Sequence, residues 1–529
     1  MSLGWPTYGN PIYLFIAFVP LLYVEDHLKK VSYIFFFSFI SFLIWNSIST
    51  WWLSFSKRTN GTFAIEAYLA PVLLNSFFMS IVFTFFSLIK KNVENKKVGY
   101  VFLVCLWILF EKMHLEWELS WPWLNLGNGF SNHIKWIQWY EYTGTLGGAL
   151  WIWTVNIGFT ESIFQYEKNR NISLFYRKIF LNISKIILMI LISNLIYIKY
   201  ENRKYEKFVN TLILQPNIDP YYQKYNMSRK KIIFKFKKLM DQKIFINPMI
   251  ILAPETTFPK KISIKNLGKS EIAYLIRNYL INKFPNSVFI AGIELFSLHK
   301  EKKRETSIPV ISNNFRNIQW MDVFNSVIQI SMDDYIKYHH KSKLVPAVET
   351  FPYKKLFYPI LGNILLNFGG TVTELGKENN PSIFKHPHLG VKVAPIICYE
   401  SVFGEYVSSF FKKKNADMMI IITNDGWWGR SEGHRQHMSY ARIRAIENRK
   451  YIARSSNTGI SCFINERGDI VSRLPYGKEG ILYEKVYINN KKTFYIKYGD
   501  YIYKISLYIT IIILLYFVFF TVYRKMFRL

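Results

Sequence analysis

Two kinds of hydrophobic pattern divide the chain. In the N-terminal part and at the C-terminus, apolar residues come in long runs without charge: Val31 to Phe55, Ala67 to Ile89, Tyr142 to Thr160 and Ile505 to Val522. Each is long enough to cross a bilayer as a helix, which takes roughly 18 residues or more. Pro11 to Val24, Val98 to Phe110, and Ile179 to Ile198 with Lys185 inside it are weaker runs of the same kind. Together they predict six spans before a polar middle region and one after it.

In the middle region the pattern shortens. FVNTLILQ (208–215), MIILAPE (249–255), SVFIAGIEL (287–295), VKVAPIIC (391–398) and DMMIIIT (417–423) are short, β-branched and almost wholly apolar, as buried strands are. Residues 228–243, 270–283, 403–414 and 435–450 alternate with them as amphipathic or charged stretches and predict helices. Strands alternating with helices imply an α/β domain with both sheet faces covered. The expected organisation is a polytopic helical domain over 1–203, an α/β domain over 204–498, and a closing membrane helix with a short basic tail over 499–529.

Charge orients these parts. Lys and Arg collect on the cytoplasmic side of short loops. With the N-terminus outside, the inside segments hold Lys29, Lys30, Lys90, Lys91, Lys96, Lys97, Lys168, Arg170, Arg177, Lys178 and the basic tail, while the outside loops hold chiefly Lys57, Arg58 and Lys135. The middle domain is therefore expected outside the cytoplasm. A net charge of +31 raises the question of nucleic acid. No recognition motif or basic arm accompanies it, so no nucleic-acid partner is expected, and a lysine-rich surface near anionic lipid headgroups accounts for the charge.

Three residues in the middle domain carry candidate chemistry. Glu255 ends MIILAPE, Lys341 lies in YHHKSKLVPAVETFP after the apolar run FNSVIQISM, and Cys398 ends VAPIIC. In open α/β sheets, reactive groups gather just beyond strand C-termini. Singly, each has an ordinary explanation: a loop acid or helix cap, a solvated lysine, a packed cysteine, or a disulfide between Cys398 and Cys462. Together they form a working set. A thiol of pKa about 8.5 needs a base to become a nucleophile, which Glu255 supplies. The oxyanion formed by attack on a carbonyl needs positive charge or N–H donors, which Lys341 and the backbone of Tyr399 supply. Cys105 lies in an expected span, and no CxxC or His/Cys ligand spacing occurs, so neither metal nor cofactor is implied.

These three segments resemble the nitrilase, or carbon-nitrogen hydrolase, superfamily, whose signature is a Glu-Lys-Cys triad on an αββα sandwich. LILQPNI (212–218) resembles its first strand, and NDGWWG (424–429) with QHMSYARIRAIENRKYIARSSNTG (436–459) its later strand, helix and strand. The triad falls on Glu255, Lys341 and Cys398; Lys341 is preferred to Lys343 because it stands five residues before Pro346. With the membrane spans and the loop WPWLNLGN (121–128), the chain resembles the apolipoprotein N-acyltransferases of bacterial envelopes. In that family Glu349, Tyr399, Glu400 and Trp427 match further functional positions. Tyr225 stands near, with a one-residue offset, an aromatic that is usually tryptophan. Relatives usually carry one more hydrophobic helix before the segment resembling SLGWPTYGNP (2–11), which suits an outward N-terminus.

The resemblance implies a monomeric, multi-pass inner-membrane enzyme with its catalytic domain on the periplasmic side. Its acyl donor would be a phospholipid, its acceptor a diacylated apolipoprotein, and its intermediate a thioester on Cys398. The alternatives are a membrane-anchored amidase or nitrilase with a small substrate, which the triad serves equally well, and a transporter. For the latter, the intramembrane ionisable residues Glu66, Lys112, His114 and Glu116 sit near span ends.

Overall fold

The computed structural model describes all residues except 59–60, 204–205, 244, 312–317, 357–373 and 528–529. They form two compact units: Met1–Trp51, Glu66–Glu201 and Tyr498–Leu529 make one, and Trp52–Ile65 with Asn202–Lys497 the other. The expected domain boundary at 204, and the end of the basic tail, fall outside the described residues.

The first unit is helical: α1 (Val19–His27), α2 (Val31–Ser49), α3 (Glu66–Asn92), α4 (Lys96–Met113), α5 (Tyr140–Asn169), α6 (Ile172–Glu201) and a C-terminal helix, Tyr501–Phe527. Of these, α2, α3, α6 and the C-terminal helix are long and apolar enough to cross a membrane. Only 17% of the most apolar window of α6 and of the C-terminal helix is buried in the protein, so their apolar side chains mostly face outward, as lipid-facing residues do.

Three expected spans differ. Val98 to Phe110 lies in α4, an 18-residue helix that carries Lys96, Lys97, Glu111 and Lys112 and buries ten residues. Pro11 to Val24 is a short 3-10 turn, Pro11–Phe15, followed by the nine-residue α1, because Pro11 and Pro20 each start a new helical segment. The run from Tyr142 to Thr160 lies in α5, which bends at Gly144 and buries residues such as Trp153 and Asn156 inside the unit. It is apolar because it is packed. The loop WPWLNLGN rests against this helix at Gly127, where a Cβ would stand 2.1 Å from the Thr145 carbonyl oxygen. Lys112 is no lone charge on a path: its Nζ lies 2.9 Å from both Asp500 and Glu116.

The second unit contains β1 (Phe208–Gln215), α7 (Arg229–Met240), β2 (Met249–Leu252), β3 (Phe258–Ser263), α8 (Glu271–Lys283), β4 (Val288–His299), β5 (Ile308–Ile311), β6 (Ile318–Ile330) and β7 (Lys337–His340). It continues through β8 (Phe384–Lys385), β9 (Lys392–Ile397), α9 (Gly404–Lys414), β10 (Met418–Thr423), α10 (Gly433–Asn448), β11 (Ile452–Ser456), β12 (Ser461–Ile464), β13 (Ile470–Leu474) and β14 (Gly480–Tyr487). One sheet runs β14-β1-β2-β4-β6-β5, with β3 on β4 and β7 on β6; the other runs β13-β12-β11-β10-β9-β8.

Alternate residues along the strands build three cores. Ile213, Ile250, Leu252 and Val327 meet Val393, Ile397, Ile420 and Phe463 between the sheets. Leu212, Ile251 and Phe289 of the first sheet pack on Phe236 of α7 and Ile276 of α8. Ile396, Met419 and Ile452 of the second pack on Phe410 of α9 and Ala441 of α10. The order of layers is helix, sheet, sheet, helix, the αββα sandwich that the resemblance implies. Both faces of each sheet are covered, which is why the strands carry unbroken apolar runs.

Candidate active site

The three sequence candidates converge from both sheets. Glu255 lies three residues past β2, Lys341 directly follows β7, and Cys398 directly follows β9. Lys341 Nζ stands 3.2 Å from Glu255 Oε1 and 2.9 Å from Glu349 Oε1. Asn325 of β6 inserts its Nδ2 between the same two oxygens, at 2.9 and 3.0 Å. Glu349 Oε2 accepts from Val345 N at 2.8 Å, so the loop carrying Glu349 is folded onto its own carboxylate. All four groups are buried.

Cys398 has φ +51°, a left-handed conformation that costs a side-chain-bearing residue about 1–3 kcal/mol and persists only where its surroundings enforce it. Glu400 contributes to that enforcement. Its Oε2 accepts from Ile397 N at 2.8 Å, while Oε1 accepts from Ser342 N at 2.6 Å and Tyr406 Oη at 2.9 Å. One buried carboxylate thus ties the turn of the cysteine to the turn of the lysine. Tyr399 is buried against Phe403, ring centroids 5.1 Å apart.

The electrostatics follow from this packing. Burial alone would lower Lys341, but Glu255 and Glu349 outweigh it and hold the ammonium above the ordinary lysine range. Burial alone would raise Glu255, but Lys341 and Lys224 reverse that and hold it below the usual carboxylate range. Burial and then Glu255 push the Cys398 thiol well up, with Lys341 opposing. The resting site is a thiol beside a carboxylate and an ammonium.

Sequence reasoning missed several neighbours. Lys224 is buried, its Nζ 3.5 Å from the Glu255 carbonyl oxygen and 5.8 and 6.0 Å from the rings of Trp427 and Tyr225. Burial lowers it to about 8 against the pull of Glu255 and Glu294. Trp427 is fixed through its carbonyl, which accepts from Tyr221 Oη at 2.7 Å. Trp52, from the segment that the second unit takes from between α2 and α3, packs on Trp428 at 4.6 Å and donates to Gln436 Oε1 at 3.3 Å. Asp425, His437 and Arg454 form a buried cluster close to Cys398. The available signal was a charged residue inside an otherwise buried strand, as Arg454 is in IARSS.

Cys398, Asp425 and His437 bring three ligand types within 4.8 Å of one another. The donor set does not suit a metal. Asp425 already accepts from Thr423, His437 and Arg454, and the guanidinium 2.6 Å from its Oδ2 would repel a second cation. The disulfide alternative also falls: Cys398 and Cys462 are both free thiols, and Cys462 is buried in the helix-facing core of the second sheet.

Residues 299–490 match the carbon-nitrogen hydrolase family model, and residues 1–158 match the apolipoprotein N-acyltransferase N-terminal domain. The apolipoprotein N-acyltransferase of Chlorobaculum tepidum is 24% identical, covering 94% of this chain and 90% of its own length. That of Wigglesworthia glossinidia brevipalpis is 28% identical over 81% of this chain and 78% of its own. Apolipoprotein N-acyltransferase 1 of Treponema denticola is 25% identical over 94% and 91%. The chain is similar to apolipoprotein N-acyltransferases over most of its length. Lys341 and Cys398 lie inside the carbon-nitrogen hydrolase match, and Glu255 lies before it.

Gly292 of β4 is a point where backbone must come close. A Cβ there would stand 2.3 Å from Thr256 N and 2.7 Å from Glu255 Cα. Gly292→Ala is expected to displace Glu255 and to cost about 1–3 kcal/mol of stability, as overpacking against fixed backbone does. Thermal melting measures the second effect and acyl-enzyme formation the first.

Proposed function

We propose that the protein is a membrane enzyme that transfers an acyl chain from a phospholipid to the N-terminal α-amine of a diacylglyceryl-cysteine on an apolipoprotein, with Cys398 as the nucleophile, Glu255 as the base and Lys341 as the oxyanion's counter-charge. The observation that carries this is the meeting of a strained cysteine with a buried Glu-Lys pair, in a chain that also holds long, outward-facing apolar helices and is similar to apolipoprotein N-acyltransferases. A hydrolase of small soluble substrates has no evident need of those helices.

In the first step Cys398 gives its proton to Glu255 as the sulfur attacks the ester carbonyl of the donor lipid. The oxyanion meets the Lys341 ammonium. Collapse expels the glycerol oxygen, which takes the proton from Glu255 and leaves as lysophospholipid, while the acyl chain stays on sulfur. In the second step the acceptor amine attacks the thioester and gives its proton to Glu255. Collapse then returns that proton to the departing sulfur. The two half-reactions share one site, so ping-pong kinetics are expected. Glu349 and Glu400 position the lysine and the cysteine turn, and Trp427 and Tyr225 line the approach. The membrane would be the bacterial inner membrane, with this domain on the periplasmic side, in accord with the loop charges.

The test is intact mass measurement of the purified full chain after incubation with phospholipid vesicles. An acyl adduct is expected on Cys398, absent from Cys398→Ala and discharged onto a diacylglyceryl-cysteine peptide. Release of free fatty acid or ammonia, with no transfer to that peptide, would favour the hydrolase instead.

A further inference from the structure

The Cys398 sulfur has a side-chain neighbour outside the proposed triad. Thr423 closes β10, the strand beside β9, and its Oγ1 lies 3.3 Å from Cys398 Sγ and 2.6 Å from Asp425 Oδ1. A hydroxyl has one hydrogen to give. Burial would raise Asp425, but Arg454 and His437 outweigh it and hold the group far below the usual carboxylate range. Arg454 Nη2 is 2.6 Å from Oδ2, and His437 Nδ1 is 2.9 Å from Oδ1. An ionised carboxylate only accepts, and the shorter, charge-assisted contact takes the hydrogen. Thr423 therefore turns a lone pair toward the sulfur. That lone pair accepts from S–H and repels S⁻.

We propose that Asp425, acting through Thr423, is a positioning residue that keeps Cys398 a thiol in the resting enzyme, so that the sulfur becomes nucleophilic only as its proton passes to Glu255. This rests on Cys398 being the nucleophile. The cluster also holds the backbone of the turn. Ser401 Oγ donates to the Cys398 carbonyl at 2.7 Å, with His437 Nε2 3.2 Å from the same oxygen. The charged groups facing the sulfur are Glu255, Lys224, Lys341 and Asp425. Those facing Asp425 are His434, His437 and Arg454, and Cys462 and Tyr476 lie in its field. Asp425 thus has its own counter-charges; its charge also raises the thiol directly, and the directional part of its influence passes through one hydroxyl.

The test is the pH dependence of Cys398 alkylation by iodoacetamide, read by peptide mass on the full-length protein, which requires no turnover. In Asp425→Asn the side-chain amide donates to Thr423 and frees its hydrogen for the sulfur. Hydrogen bonds to charged groups contribute about 1.5–3 kcal/mol, so alkylation at neutral pH is expected to rise at least tenfold, with its midpoint moved to lower pH. The rise is expected to be much smaller in Asp425→Asn combined with Thr423→Val, where only the loss of the Asp425 charge acts on the thiol. Should Asp425→Asn fail to fold, Thr423→Val alone decides: it is expected to alkylate at least as fast as the wild type. A tenfold slower rate would show that Thr423 donates to the sulfur, and would overturn the proposal. So would an unchanged midpoint in folded Asp425→Asn. A wild-type protein that forms no acyl adduct would instead remove the role of Cys398, an outcome the alkylation profile does not share.

Discussion

Replacing Lys341 with methionine is expected to remove acyl-enzyme formation and to make the protein more stable on mild acidification. The ammonium stands between Glu255 and Glu349 at 3.2 and 2.9 Å, with Asn325 as their other shared donor. Without the cation, two buried carboxylates flank one amide, and like charges so placed force one to hold a proton. With the roles proposed above, the rate falls for two reasons. Loss of an oxyanion partner costs about 10²–10³, and a Glu255 that shares a proton is a poorer base. Removing one partner of a buried ion pair also costs about 3–5 kcal/mol of stability.

In the wild type, Glu255 is depressed, so its contribution is present above the unfolded carboxylate pKa and is lost as pH falls through the folded one. Lys341 is raised, so its contribution is present below the unfolded lysine pKa and is lost as pH rises through the folded one. Between about pH 5 and 10 neither contribution changes much. In Lys341→Met, uptake of a proton by the carboxyl pair relieves repulsion, so acidification from pH 7 toward 5 is expected to stabilise the variant. Denaturation at several pH values, with wild type alongside, measures it. Lys341→Arg is not expected to rescue, because a planar guanidinium does not fit a site built for a compact ammonium. An active variant with an unchanged pH profile would remove Lys341 from the chemistry.

The α/β architecture was legible because its strands are buried on both faces. β1 spans Phe208–Gln215, as the run FVNTLILQ implies, and the helices differ from expectation by a few residues at their ends. Burial on both faces leaves little else for such runs to be. The helical unit was less legible, because hydropathy does not distinguish lipid from protein as the apolar neighbour. Tyr142 to Thr160 lacks charge yet is packed inside, whereas α6 carries Lys185 and is among the most outward-facing helices. Lys185 is accommodated by a 3.0 Å hydrogen bond to Asn182, one turn earlier on the same helix.

The candidate site was legible where chemistry sits at strand ends and not where it depends on tertiary convergence. Glu255, Lys341 and Cys398 each follow a strand, so topology brings them together. Lys224, Asn325 and Arg454 reach the site or its supporting cluster from a loop, mid-strand and a later strand, and nothing in their local patterns says which charge each will meet. The strained turn at Cys398 was equally invisible, since a left-handed cysteine has no local signature.

Glu255→Gln is expected to separate two kinds of thiol reactivity that fall together in most damaged enzymes. Acyl transfer should drop by about 10²–10⁴, the usual contribution of a general base. Reactivity toward a small alkylating reagent should rise. After burial, Glu255 is the largest influence holding the Cys398 proton in place, and Lys341 pulls the other way. Neutralising the carboxylate leaves the ammonium in command of the thiol, so the thiolate fraction at neutral pH increases even as the route for moving its proton disappears. Parallel measurement of iodoacetamide labelling and thioester formation on the same preparation tests both signs. The wild-type rate of thioester formation should hold as pH falls until below the ordinary carboxylate range, because Glu255 is depressed. The variant should lose that acid limb. If labelling and acyl transfer fell together while the fold stayed intact, Glu255 would be holding the site's shape rather than moving its proton. Because a group that merely supports the turn cannot make the sulfur more reactive when it is removed, the rise in labelling is the decisive sign.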